Sequence, residues 1–236
     1  MLKGKVEPIS SYTKEELSAM YKLMSAFYDD TDEQVFLRDF YGKDYCLALY
    51  HETDGLVGFT TQKVLQLDVG GKAVHGIFSG DTIIHRDYWG DMELFRVWAD
   101  FWFDYAEKYD EFYWFLICKG YKTYRMLPLF WTEFYPNCET ATPEYEQSII
   151  DAYGSLLYPE EYNPLSGVME YKGVKDKLKA GVADIGEREL RNRDVAFFCK
   201  ANPGYRQGND LACLARIDKS KLKKRAVGLL FDEHGM

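Results

Sequence analysis

The sequence lacks the features that mark an exported or membrane-bound chain. No run approaches the roughly 18 apolar residues of a membrane span, and residues 1–11 lack the apolar stretch of a secretory signal. The expectation is a soluble cytoplasmic protein with no membrane partner. Cysteine is sparse and unpaired. Cys46, Cys118, Cys138, Cys199 and Cys213 are odd in number, far apart and never in a C-x-x-C pair, which argues against a disulfide framework and against a zinc cluster. No metal is expected. Positive charge is also in deficit: 29 Lys and Arg against 38 Asp and Glu leave a net charge of -9. No basic groove is legible, so a nucleic-acid partner is not expected. The one dense basic run, residues 219–225, reads as a solvated surface or as a contact for an acidic ligand such as a nucleotide phosphate.

What is abundant is aromatic. The chain holds 19 Tyr, 15 Phe and 5 Trp, which implies either bulky core layers or an apolar cavity walled by flat, rigid side chains. With 47% hydrophobic residues in 236, a sizeable core can be buried. No repeat or linker interrupts the chain, so a single domain over residues 1–236 is expected, with its core at about 13–135 and an elaborated C-terminal part at 136–236.

Periodicity supplies the elements. Leu17, Met20, Tyr21, Leu23, Met24 and Phe27 recur at helical spacing behind a capping box of Thr13 and Glu16, predicting a helix over 13–28. A second runs over 32–41 and stops at Gly42. Three strands follow at 45–50, 56–68 and 72–85, separated by Asp54-Gly55 and Gly70-Gly71, which suit tight hairpin turns. The longest helix lies between 91 and 109, where Met92, Phe95, Trp98, Phe101, Trp102 and Tyr105 trace one face. The run FYWFLIC at 112–118 then reads as a strand buried on both sides. Beyond Pro136 the pattern weakens, with a helix at 143–157, a strand at 167–171, a helix at 193–201, a turn at Asn202-Pro203-Gly204 and a strand at 211–217.

The order of these elements, together with two segments, resembles the GNAT superfamily of N-acyltransferases. Residues 83–90, Ile-Ile-His-Arg-Asp-Tyr-Trp-Gly, look like the end of that family's fourth strand and its following loop, and residues 114–124 resemble its fifth strand and fourth helix. The resemblance covers about 13–135. It implies a mixed, largely antiparallel central sheet flanked by helices, an α/β (α+β) fold. It also implies an acyl-CoA co-substrate, acetyl-CoA first, and direct transfer of the acyl group to the amine of a small metabolite. Two other readings fit the same resemblance: a protein taking its acyl group from a carrier protein, and a ligand-binding module without catalysis. A homodimer is a further expectation.

The resemblance also places candidate residues. The donor would lie along Ile83, Ile84, His85, Trp89, Gly90, Asp91 and Met92, with Lys119 and Tyr121 after the fifth strand. Trp89, Met92 and Leu94 stand where the family's phosphate loop has Arg and two glycines, so Gly90 alone remains of the usual pattern. Asp81 lies on the fourth strand, where such enzymes often present a general base. A carboxylate inside an otherwise apolar strand is itself a signal, since burial would raise its pKa. Strict alternation puts Ser79 and His75 on the Asp81 face, with Ser79 as an assistant to the base. Tyr124 is the implied proton donor to the departing thiolate, with Tyr121 beside it. Arg206, in the polar loop 202–210, could meet an anion.

Overall fold

The computed structural model describes residues 1–231. Eight strands form one sheet: β1 (Leu2–Pro8), β2 (Tyr45–His51), β3 (Gly55–Val69), β4 (Lys72–Ile84), β5 (Phe112–Cys118), β6 (Tyr162–Asn163), β7 (Val168–Met169) and β8 (Asp210–Arg216). Their order across the sheet is β1-β2-β3-β4-β5-β8-β7-β6. Every neighbouring pair is antiparallel except β4 and β5. This is the mixed, largely antiparallel sheet flanked by helices that the sequence implies.

Glycine closes the hairpins. Gly70 and Gly71 take φ of 62° and 82°, and Gly55 takes 69°, values that cost side-chain-bearing residues steric energy. The parallel pair instead needs a long crossover, supplied by α3 (Glu93–Ala106). On the other face lie α1 (Lys14–Phe27), with its Thr13–Glu16 capping box intact, α2 (Glu33–Tyr41) and, later in the chain, α6 (Glu144–Leu157).

The β5 run is apolar throughout because both of its faces are covered. Phe112, Trp114 and Leu116 join the α3-side core, while Tyr113 and Phe115 join the α6-side core. The aromatic excess goes largely into these layers: Trp98 packs on Trp114 at 4.7 Å and Trp114 on Trp131 at 5.2 Å. The C-terminal part is tied to the same sheet, since β8 pairs with β5 and the Tyr153 hydroxyl donates to the carbonyls of Leu116 and Cys213 at 3.1 and 3.0 Å.

Several features differ from the sequence reading: the strand expected at 167–171 is only Val168–Met169, and Tyr28–Asp29 pairs with Lys177–Leu178 in a second, two-stranded sheet. Residues 2–8 form an edge strand, and residues 224–231 form a helix packed on α3. The helical stretch after β5 is two short pieces, α4 (Tyr121–Tyr124) and α5 (Met126–Phe130). The remaining helices are α7 (Glu187–Leu190), α8 (Arg193–Ala201) and α9 (Lys224–Phe231).

Contact between β4 and β5 requires a glycine. A Cβ at Gly76 would sit 2.4 Å from both the Tyr113 carbonyl oxygen and the Phe115 ring. Gly76→Ala is therefore expected to cost about 1–3 kcal/mol or more, as overpacking against backbone does, read as a lower urea midpoint. A midpoint equal to wild type would contradict this packing.

Candidate active site

The site begins where the parallel pair ends. β4 and β5 are in register from His75 opposite Phe112 to Ser79 opposite Leu116, and there the pairing stops. β5 runs on alongside β8, with Cys118 opposite Leu211, while β4 continues to Ile84 paired only with β3. The two strands part and leave a notch between them. At the same point β4 carries a bulge. Gln62 of β3 pairs with Ser79 and Thr60 pairs with Thr82, so Gly80 and Asp81 together stand opposite Thr61. An extra residue reverses which face each later side chain takes. Ile77 packs on the α3 side, yet Ile83, of the same parity, packs among α1 and α2. Gly80 permits the bulge to lie close, since a Cβ there would be 2.7 Å from Thr61 Oγ1 and 2.8 Å from Lys43 Cε.

Asp81 is thereby turned to the face opposite Ser79. It is half-buried and, among the described residues, makes no hydrogen bond or ion pair. Burial, helped by the negative charge of Asp39 and opposed by Lys43, pushes its carboxyl up from 3.8 to about 6. The groups that feel or exert its charge come from six separate places: Asp39 and Lys43 at the end of α2, Tyr28 after α1, Cys46 on β2, Lys119 after β5, Tyr158 after α6, and Lys175 with Asp176. In this group Lys119 Nζ donates to the Asp176 carboxylate at 2.8 Å and stands 3.7 Å from Asp210, whose carboxylate accepts the Tyr171 hydroxyl at 2.9 Å. Burial pushes the Asp210 carboxyl up. Asp176 is also driven up by burial, but Lys119 and Lys175 outweigh that and hold it below the usual range. Tyr28, Tyr158 and Tyr171 are all raised, chiefly by burial, and stay protonated. The result is a polar cluster, called the crevice below, with three tyrosines around it and one carboxylate left without a partner.

The other expected residues separate into two groups. Ser79 is buried on the α3 side, where its Oγ accepts the Trp114 indole N–H at 2.8 Å, so the bulge breaks its expected alliance with Asp81. His75 stacks on Tyr109 at 4.4 Å, at the far, paired end of β4. Tyr124 is fully buried among Phe134, Phe197 and Phe198, and its hydroxyl donates to the Pro136 carbonyl at 2.9 Å, so it does not open onto the notch. Lys119 faces the acidic crevice and not the loop after β4.

That loop is nevertheless at the mouth of the notch. Ile83 is buried against α1 and α2, the Ile84 carbonyl accepts the Trp89 indole N–H at 2.8 Å, and the His85 amide donates to Val57. Gly90 turns the chain with φ of 98°, Asp91 Oδ1 accepts the Glu93 amide at 2.7 Å, and Met92 precedes α3. Across the notch, Tyr121 lines a groove with Lys122, Arg125, Met126 and Leu129. Beneath α3, at the bulge itself, Ser79, Thr60 and Thr82 floor an apolar cavity of about 30 Å³ walled by Leu94, Phe95, Trp98, Trp114, Phe130, Trp131 and Leu230. Among the described residues no group of three or more His, Cys, Asp or Glu is disposed to hold a metal ion, and no helix is long and apolar enough to cross a membrane. Arg206 lies on Tyr205 in its exposed loop.

Tyr28, Lys43, Tyr158, Tyr171 and Asp176 join this cluster without any local signal in the sequence. Asp210 does carry one: like Asp81, it is a carboxylate attached to an apolar strand, DLACLA.

No family model matches the sequence, and no curated protein matches it. Several solved structures are similar in fold. A conserved protein of unknown function from Enterococcus faecalis V583, a probable N-acyltransferase, is 15% identical with a TM-score of 0.43, over 57% of this chain and 33% of that one. NAA60 from Arabidopsis thaliana, solved with a bisubstrate analogue, is 11% identical with a TM-score of 0.41, over 58% of this chain and 92% of its own. A GNAT family N-acetyltransferase from Escherichia coli, solved with CoA, is 10% identical with a TM-score of 0.38, over 53% and 68%. The chain thus spans about a third of the length of the first of these.

The raised Asp81 carboxyl has a consequence for stability. The folded state holds this proton more tightly than the unfolded chain does. Its contribution is therefore fully present below about pH 4 and is lost as pH rises through about 6. Asp81→Asn should remove that loss, stabilising the protein at pH 8 by up to about 3 kcal/mol and flattening the pH dependence between about 4 and 6. Chemical denaturation at about pH 4 and at about pH 8 checks this; an Asp81→Asn protein less stable than wild type at the higher pH would contradict it.

Proposed function

We propose that the protein is an acyltransferase that moves a small acyl group from an acyl-CoA-type thioester to the amine of a small metabolite, with Asp81 as general base. One observation carries the reading: an unpartnered, half-buried carboxylate with its pKa near 6 at the bulge where β4 leaves β5. Such a group is ionised at neutral pH yet basic enough to take a proton from a bound ammonium.

The amine enters from the crevice side, where Asp81, without an ion-pair partner, favours a cation and Tyr28 and Tyr158 stand near it. Asp81 accepts the proton, and the freed nitrogen attacks the thioester carbonyl carbon. Beyond Ser79 the edge of β4 that faces the notch has no strand partner, so its backbone N–H groups are available to the developing oxyanion. Collapse of the tetrahedral intermediate forms the amide and expels the thiolate, which takes up a proton. Tyr121, on the groove wall, replaces the enclosed Tyr124 as the candidate donor of that proton. The acyl group itself projects into the cavity over Ser79, Thr60 and Thr82. At about 30 Å³ it suits an acetyl group and not a long chain.

A carrier-protein donor is the second reading: Asp91 takes up the Glu93 amide, and a donor arm with a single phosphate and no pyrophosphate depends less on the amides of that loop.

Thiol release from acetyl-CoA and longer acyl-CoAs, assayed against a panel of small amines, tests the proposal. In wild type kcat/KM should rise with pH to a plateau above about 6, and acetyl should exceed octanoyl. Asp81→Asn should lower turnover at least about 100-fold while the protein stays folded. Full activity in Asp81→Asn, or a profile flat through pH 6, would remove Asp81 from the mechanism.

A further inference from the structure

Two turns, one after β4 and one after β5, bring cations together around a single indole. Lys122 Nζ lies 3.7 Å from the centre of the Trp89 ring, and the Arg86 guanidinium carbon lies 5.4 Å from the same ring. Trp89 is 39% exposed, and its ring is held by the N–H bond to Ile84 and by Phe27 at 5.9 Å. Beside Lys122 a groove of about 260 Å³ opens, with Arg125 on its rim and Tyr121, Met126 and Leu129 completing its walls.

Among the described residues, none of these three cations has a carboxylate within ion-pair distance. Burial, with Arg86 adding to it, pulls the Lys122 ammonium below its usual pKa. Asp184 acts on Lys122 only at longer range, and its carboxylate already accepts the Gly181 amide. Like charges held together in a concave site focus a positive field, here in a chain whose net charge is -9. The indole and the apolar groove wall add a surface for a flat or aliphatic body.

We propose that this groove binds the phosphate of a phosphate ester, with Lys122, Arg125 and Arg86 as the anion-binding side chains and Trp89 as the face against which the rest of the ligand lies. Its place at the mouth of the notch makes that ester the thioester donor's own, which rests on the acyl-transfer reading; the anion site itself does not. Side-chain charge here takes over from the loop before α3, where Asp91 occupies the first amide. The shared chemistry is a phosphopantetheine ester, supplied either as CoA or on a carrier protein.

Calorimetric titration of the full chain with pantetheine, phosphopantetheine and CoA tests this without any turnover. Pantetheine has the same arm and no phosphate. In wild type at least one phosphorylated probe should bind at least tenfold tighter than pantetheine. The variant Lys122→Glu/Arg125→Glu, whose two positions are exposed, should erase that gap. Lys14→Glu/Lys200→Glu makes the same change in net charge at exposed positions elsewhere and should keep it. No gap in wild type, a gap that survives Lys122→Glu/Arg125→Glu, or its loss in the control variant would overturn the proposal. CoA binding more than tenfold tighter than phosphopantetheine identifies the free nucleotide as the source; equal binding identifies a carrier protein. A protein that binds through these residues but transfers no acyl group would sink the acyl-transfer reading and leave the anion site standing.

Discussion

The pairing of β4 with β5 is the only parallel contact in an eight-stranded sheet among the described residues, and it lasts for five residue pairs. Antiparallel neighbours can be joined by a two-residue turn, but a parallel pair cannot, so α3 must cross between them. Its aromatic face then buries Trp98 and Trp102 over the sheet. Because β5 stays paired with β8 from Tyr113 to Cys118 but parts from β4 after Leu116, β4 is left with a free edge just where its bulge reverses the facing of its side chains. Both the small cavity under α3 and the polar crevice on the other face follow from that one parting of strands.

Electrostatics then distinguishes the carboxylates. Asp176 is held ionised by two lysines, and Asp210 is enclosed with a tyrosine hydroxyl and Lys119 for partners. Asp81 has neither arrangement, and the nearest cation, Lys43, is already bonded to Asp39. A half-buried carboxylate without a partner costs stability, so its retention at a strand bulge fits a group kept for chemistry. At the loop after β4, by contrast, Arg86 and Lys122 lie on Trp89, and Arg125 lines the adjoining groove with Lys122. In the proposed reaction an ammonium acceptor would meet Asp81 and an anionic donor the cations at Trp89, both on the α1 side of the sheet.

Much of the fold was legible in the sequence because its signals are local. The helical periods of residues 14–27 and 93–106, the glycines of both hairpins and the FYWFLIC strand all read directly from spacing. The edge strand β1, LKGKVEP, was not legible, since it pairs with one neighbour only and carries lysines that suit an edge. The helix α9 was masked by the basic run that leads into it. Of the candidate site, Asp81 stood out as a carboxylate among apolar residues. Its facing depended on a single inserted residue, which alternation cannot reveal, and its neighbours Lys119, Tyr158 and Asp176 converge from distant parts of the chain. Tyr124 had the right position after β5, but a one-turn helix points it into the core.

The proposed chemistry turns on the ionisation of Asp81, and carbon-13 NMR titration of its carboxyl carbon reads that directly, with Asp81→Asn used to assign the resonance. The expected result is a midpoint near 6, well above the ordinary aspartate value of 3.8. A midpoint at or below about 4 would mean that Asp81 is solvated or paired, and would contradict its proposed role as the base.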